Sequence, residues 1–589
     1  MAVEKWIKKI MPPFFFWRSL LVFVILFFIC GLHQPINGQQ ILAYEVKARE
    51  NQWGVKEFPD SLSRENFIKE LIASCQLDGY PTAFVSHRKL YGDTLTVEVQ
   101  SGEVYKWVFL RKGNLDDRLA RQGGYEVSAF QGSPFNVKHV EIFFDRILED
   151  AQNNGYPFAS VRLDSITYQK EGFGAAINFD YGPLITFDTI KITGNSKTDP
   201  LYLNRLLKML PGTVFSQQNV DQSLGILKNL SFLQLEGEPQ LSFQNSEAIL
   251  YLPINDRKVN TLDGIIGILP NETEGHKMLV TGQFDLALYN IGGRGRNYQV
   301  NWQRLSQYSQ NLFVAAEEPM LLGSSVDLEV SFELLKEDTT FLNRDFKINF
   351  GFRTSPSSYI GFFSRRQAGA LLAVSQWADA MELPDIADYR FNNYGVNWRF
   401  NTLDDVIWPR RGWFSGFEFG IGNKTLLHNT GLPQSLYQDI SLTSLQYYLT
   451  LSIEKYVYIK SRMGGLIRMR AGEMANEKLL GNDLFRLGGL SSIRGFNEKY
   501  FFSNRYVYIN LEPRYYLDER SYFLLFTDIG HIQDKVRQST WDWPVSFGGG
   551  LNLDTKEGAF HFIYAIGQSN TQRFGLDFSK IHFGYTGRF

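Results

Sequence analysis

Two periodicities divide the chain near residue 258. Beyond it, apolar and polar positions alternate. Val326, Leu328, Val330, Phe332 and Leu334 are interleaved with Asp327, Glu329, Ser331 and Glu333, and Phe346–Phe352 repeats the pattern. Tyr298, Val300 and Trp302 alternate with Gln299, Asn301 and Gln303. Val507, Ile509, Leu511 and Tyr515 alternate with Tyr508, Asn510, Glu512 and Arg514. A period of two marks strands with two unlike faces. These runs reach about ten residues, the length of a tilted membrane crossing. Aromatics recur at their ends. About sixteen such runs fit between Leu262 and Phe589, which predicts a transmembrane antiparallel β-barrel over 259–589. If the first strand starts on the periplasmic side, the short connections 354–356, 518–519 and 555–557 fall on that side. The long ones, 367–386, 424–439 and 471–503, fall on the outer side.

Ahead of residue 258 the period is helical. Phe67, Leu71, Ile72 and Cys75 share a face of a helix predicted over Ser63–Leu77. Val140, Phe143, Phe144 and Ile147 do so over Val137–Asn153. Each helix runs into a related sequence, Asp78-Gly79-Tyr80-Pro81 and Asn154-Gly155-Tyr156-Pro157. Each is followed by alternating runs, such as Leu95–Val99 and Ala175–Phe179, that read as a hairpin. An offset of this size means tandem small domains, not a solenoid. A third copy has Ile190–Ile192 as its first strand, helices over Pro200–Leu210 and Ser216–Leu230, and Ala248–Ile254 to close it. The unit reads strand, helix, helix, strand, strand, with bounds 40–103, 104–182 and 183–257. Such an α+β unit leaves one sheet edge open to an incoming strand.

Composition narrows the class. The chain has 589 residues with 15% aromatics, 44% hydrophobic and 21% charged residues, which excludes a bundle of apolar membrane helices. A formal net charge of −2 gives no basis for nucleic-acid binding. Lys5, Lys8, Lys9 and Arg18 precede the apolar run Leu20–Cys30, so 1–38 reads as a signal peptide cut near Gly38. Cys30 and Cys75 build neither a disulfide framework nor a metal site. No Gly-x-Ser-x-Gly elbow, P-loop or His-Glu-x-x-His is present, so no enzyme class, catalytic residue, cofactor or metal is expected.

One connection stands out. Gly488, Gly489, Ser492, Arg494, Gly495 and Phe496 lie between two alternating runs, with a lone arginine between Ile493 and a Gly-Phe pair. A guanidinium placed in a barrel lumen needs a partner, because desolvation is costly. Glu512 faces inward by alternation. Asp528 shares its face with Tyr522 and Phe526, which leaves its direction open.

At these residues the chain resembles the BamA/TamA family of outer-membrane assembly and translocation proteins. Gly488–Phe496 is similar to its Arg-Gly-Phe loop, and Phe526–Gly530 to its Asp-x-Gly strand. Asn290–Gly295, Glu318-Pro319 and Asp405–Gly412 are similar to its turns, and Phe589 to the aromatic end of a β-signal. The repeats resemble POTRA domains, and three of them with sixteen strands resemble the TamA-like branch. The resemblance implies that the loop dips into the lumen and that Arg494 meets Asp528, Glu512 or both. It implies a seam between Leu262–Leu269 and the last strand, with Ile581, Phe583, Gly584, Tyr585, Gly587 and Phe589 as its signal and gate. The expected partners are the outer-membrane bilayer, unfolded β-barrel or secreted clients, and a periplasm-spanning or lipoprotein partner. A dedicated secretion channel or a scaffold stands as the alternative.

Overall fold

The computed structural model describes residues 40–589 apart from 48–51, 93, 170–171, 271–277, 305–308, 439 and 538–539. For 128–129, 265–270 and 278–282 it describes the backbone alone. The expected leader, 1–38, lies outside the described residues. Two compact units form. One holds the first two small sheets, and the other holds the third sheet with the barrel.

In the first sheet the strand order is Gln52–Phe58, Gln40–Lys47, Thr94–Gln100, Phe84–Tyr91, with the middle pair parallel. The helix Ser61–Leu77 begins at Asp60, whose carboxylate accepts the Ser63 N–H at 2.7 Å and so satisfies one orphan donor of the first turn. Ile68, Phe67, Leu71, Ile72 and Cys75 pack onto Leu42, Leu95, Val97 and Val99. This unit departs from the expected order of strand, helix, helix, strand, strand. Gln52–Phe58 is a second strand, paired antiparallel to Gln40–Lys47, ahead of the helix Ser61–Leu77. Gly54 makes the pairing close, since a Cβ there would stand 2.7 Å from the Tyr44 ring.

The second sheet runs Lys106–Arg111, Gly172–Asp180, Ser160–Gln169, and its long helix is Val137–Asn153. The third runs Gln240–Gln244, Glu247–Leu252, Thr186–Ile192, with helices Pro200–Leu206 and Gln217–Lys228. The third keeps the expected two helices between its first strand and its closing pair, while the second has three, Asp117–Gly123, Val127–Phe130 and Val137–Asn153. Leu203, Leu206, Phe215 and Leu227 bury the helical faces of the third sheet against Ile190, Leu250 and Leu252.

Sixteen strands close the barrel, from Thr261–Pro270 to Lys580–Arg588, with the short strand Thr540–Asp542 appended at one rim. Several exceed the expected ten residues; Thr443–Ile459 has 17. The extra length extends one end of the barrel, where it supports a packed cover. Leu383, Ala387, Leu432, Leu436, Tyr437 and Leu480, from three long connections, form that cover with Tyr389 and Phe391. The alternation sorts the two faces. On the twelfth strand, Arg505–Tyr516, Tyr508, Asn510 and Glu512 are buried while Val507, Ile509 and Leu511 are exposed. On the thirteenth, Tyr522–Asp534, Phe523, Leu525 and Ile529 face out. An apolar outer wall of this extent is stable in lipid, not in water.

The third sheet seats on the short-turn rim of the barrel. The Asp199 N–H donates to Gly293 O at 2.8 Å, Asn290 Nδ2 donates to Thr198 Oγ1 at 2.9 Å, and Asn229 Nδ2 donates to Pro356 O at 2.9 Å. Gly295 has φ +73°, and a Cβ there would lie 2.3 Å from the Tyr202 hydroxyl. The glycine-rich turn after the second strand (Met278–Ile291) is therefore the floor on which Tyr202 rests.

Candidate functional site

The connection between the eleventh strand (Met463–Ala475) and the twelfth folds back into the lumen instead of extending outward. Its stem is a small hairpin, Phe485–Leu487 paired with Phe501–Ser503. Its tip is built by local bonds: Ser492 Oγ accepts the Gly488 N–H at 2.7 Å and donates to Gly488 O at 2.9 Å. The Leu490 N–H reaches the Glu498 carboxylate at 2.8 Å. Gly489 has φ +87°, and a Cβ there would collide with the Glu498 carboxylate at 2.0 Å. Ile493 and Phe496 are fully buried with Leu487, Phe501, Tyr508 and Ile532. Burying two such side chains supplies a few kcal/mol each, which sets the loop against the wall.

Arg494 is aimed by that seat. Its Nε and backbone N–H donate to Asp528 Oδ2, both at 2.9 Å, and its Nη2 donates to Oδ1 at 2.7 Å. Nη1 donates to Glu512 Oε2 at 2.7 Å. The other Glu512 oxygen accepts from Arg514 Nε at 2.8 Å. The guanidinium carbon lies 3.7 Å from the centre of the Phe526 ring. Around Arg494 the wall thus gathers two carboxylates, two guanidiniums and an aromatic lid. Asn510 Nδ2 donates to Ser492 O at 2.8 Å. Gly495 lies against the fifteenth strand, Gly558–Gln568, where Gln572 Nε2 bridges Gly495 O and Gly567 O at 3.1 and 2.9 Å. Gly488, Gly489, Ser492, Arg494, Gly495 and Phe496 are therefore one seated structure, with Asp528 and Glu512 beneath it.

The loop has a second anchor across the lumen that sequence reasoning missed. Lys424, on the ninth strand (Gly412–Leu426), is buried and pairs with Asp483. Its Nζ also donates to Lys478 O at 3.1 Å, and the Leu480 N–H donates to Asp483 at 2.9 Å. The neighbouring Asn482 accepts from Asn343 Nδ2 at 2.6 Å and donates to Ala387 O at 3.2 Å. The loop is a strut between two walls.

The seam is short. Registered pairs join the first strand to the second from Thr261 to Pro270, and the fifteenth to the last from Gly558 to Ala565. Between first and last, among the described residues, the pairs are Thr261 with Arg588 and Leu262 with Gly587. The Phe589 N–H donates to Asn260 O at 3.1 Å just below them. Ile581 and Phe583 stand out of the wall, 65% and 71% exposed, and Tyr585 lies against Phe560 with ring centres 4.5 Å apart. Among the described residues nothing lies within 4 Å of a Cβ placed at Gly584, and a Cβ at Gly587 would come 3.2 Å from Leu262 O. The loop seat and the seam are separate places, joined through the fifteenth strand.

Comparison with known proteins places this architecture. An Omp85 superfamily domain matches residues 290–589. Among solved structures, CdiB from Escherichia coli aligns at 12% identity over 90% of this chain and 97% of that one, with a TM-score of 0.54. CdiB from Acinetobacter baumannii aligns at 12% identity over 82% and 90%, with a TM-score of 0.52. BamA from Haemophilus ducreyi lacking POTRA domains 1–3 aligns at 15% identity over 82% and 98%, with a TM-score of 0.41. At such identities the two CdiB likenesses are of fold. No curated protein matches the sequence. With a sixteen-stranded barrel and the matched domain filling half of its length, the chain belongs to the Omp85 superfamily, whose outer-membrane proteins insert or secrete polypeptides.

Proposed function

We propose that this protein inserts unfolded clients into the outer membrane by opening the seam between its first and last strands. The observation that carries the reading is the brevity of that seam beside its fully paired neighbours. A strand edge freed there presents unpaired N–H and C=O groups to a client strand. The N-terminal units, read as periplasmic POTRA-like receivers, offer further edges. Phe84–Tyr91, Ser160–Gln169 and Gln240–Gln244 each lie at the margin of their sheet. Clients add to such edges through backbone hydrogen bonds, which need no particular side chains. Client folding supplies the driving force. The Arg494 seat keeps the wall ordered while the seam parts. A periplasm-spanning or lipoprotein partner fits the same receivers.

The test is a lock. Leu262→Cys with Gly587→Cys, in a Cys75→Ser background, joins a registered pair. After depletion of the parent protein, the oxidised double variant should leave the outer membrane poor in barrel proteins, and reductant should restore them. Full activity of the locked protein overturns the reading. The second reading is secretion of a dedicated partner through the lumen. The packed cover of Leu383, Leu436 and Leu480 argues against a standing pore. Deleting 471–503 and measuring single-channel conductance separates the two: a large rise favours secretion.

A further inference from the structure

Trp408 lies in the connection between the eighth strand (Tyr389–Asn401) and the ninth, at the short-turn rim. Two carboxylates shape that connection. Asp405 Oδ1 accepts the N–H groups of Ile407 and Trp408 at 2.8 and 3.0 Å. Asp404 Oδ1 accepts those of Arg410 and Arg411 at 2.9 and 3.0 Å. Ile407 packs against the core of the third sheet. The indole is thereby held out across the rim, and three guanidiniums gather on it. The guanidinium carbon of Arg257 is 5.3 Å from the ring centre, that of Arg520 4.4 Å, and that of Arg588 4.8 Å.

The three come from different elements. Arg257 stands just ahead of the first strand, Arg588 ends the last, and Arg520 lies in the turn between the twelfth and thirteenth. Arg257 and Arg588 therefore flank the seam from opposite sides. Carboxylates complete the cluster. Arg257 Nη2 donates to Asp405 Oδ2 at 2.9 Å, the same residue that shapes the Trp408 connection. Arg588 pairs with Asp554, which Arg520 approaches at 3.6 Å. Three like charges repel, and an aromatic face with interleaved carboxylates offsets that repulsion. Where the seam has few hydrogen-bonded pairs, one ring and its acids hold both margins.

We infer that Trp408 is a positioning residue that latches the seam: its indole pins Arg257 on the first-strand side and Arg588 on the last-strand side. What opening accomplishes rests on the function proposed above; the latch itself does not.

The experiment uses the full chain in liposomes, with Cys30→Ser and Cys75→Ser and spin labels at Leu262→Cys and Phe583→Cys to read the width of the seam. Trp408→Ala should raise the population of wide separations roughly tenfold, and Trp408→Phe should return most of it, because a phenyl ring keeps a cation–π face. Heat-modifiable gel mobility should stay that of a folded barrel. Arg588→Gln, tested separately, should widen the seam as well, which keeps the latch testable if Trp408→Ala does not fold. Unchanged separations in folded Trp408→Ala or Arg588→Gln overturn the latch, as does equal widening by Trp408→Phe and Trp408→Ala. Client insertion is measured alongside. A widened seam with unaltered insertion sinks the gate and keeps the latch. Lost insertion with an unaltered seam sinks the latch and keeps the gate.

Discussion

Arg494 clasps Asp528 in a fork: Nε meets Oδ2 at 2.9 Å and Nη2 meets Oδ1 at 2.7 Å, with the aspartate wholly enclosed. The Arg494 backbone N–H donates to the same carboxylate, so loop backbone and side chain are held by one group of the wall.

Removing one partner of that pair leaves a buried charge uncompensated, which costs about 3–5 kcal/mol. Arg494→Ala should unseat the loop and lower barrel stability, while the N-terminal units stay folded. Arg494→Lys should recover only part, since an ammonium cannot reproduce the fork to Asp528 and still reach Glu512. Protease cleavage within 485–503 and the temperature of the heat-modified gel shift are the measurements.

The Lys424–Asp483 anchor predicts an asymmetric double-mutant cycle. Lys424→Met should cost about 3–5 kcal/mol by stranding the aspartate charge. The double variant Lys424→Met, Asp483→Leu should recover most of it, because both buried charges are then gone. Equal loss in the single and double variants would show that the pair contributes nothing beyond packing. Denaturant unfolding in detergent reads this out.

Gly295→Ala tests the seat of the third sheet. The residue has φ +73°, and the new methyl would meet the Tyr202 hydroxyl at 2.3 Å. Strain of this kind costs on the order of 1–3 kcal/mol. Cross-linking between Asn229→Cys and Pro356→Cys, whose parent residues are hydrogen-bonded at 2.9 Å, should fall in yield.

Acid should loosen the Trp408 connection. Burial works against charge on Asp405, but the Trp408 N–H, the Arg257 guanidinium and the Ile407 N–H together outweigh it and hold the carboxyl below its ordinary value. The folded state then binds fewer protons than the unfolded one. The stabilisation is whole above an ordinary carboxylate pKa of about 3.9 and is lost as pH falls through the lower folded value. Seam separations should hold from neutral pH to about pH 5 and widen below about pH 4. Asp405→Asn should widen the seam at neutral pH and flatten that step.

The alternation along the twelfth strand pointed Glu512 inward, because a strand repeats every two residues and nothing remote can alter that. The thirteenth strand was harder. Asp528 shares a face with Tyr522 and Phe526, an apolar pattern that reads equally as lipid-facing. Those rings line the lumen because the arginines need covering: Phe526 lies 3.7 Å from the Arg494 guanidinium carbon, and Tyr522 4.5 Å from that of Arg514. The strand at Gln52–Phe58 escaped for a related reason, since its pairing depends on Tyr44 folding over Gly54.

What the sequence determined by itself is local and periodic: the strand faces, the two later α+β repeats, the glycine tip of the loop and the charge of Arg494. What only the tertiary structure decided is pairing between distant positions. Lys424 and Asp483, or Trp408 and its three arginines, meet because closing the barrel brings far-apart segments to one lumen and one rim. No local period records such meetings. They follow from the register of every strand between them, and that register is set by closure of the whole sheet.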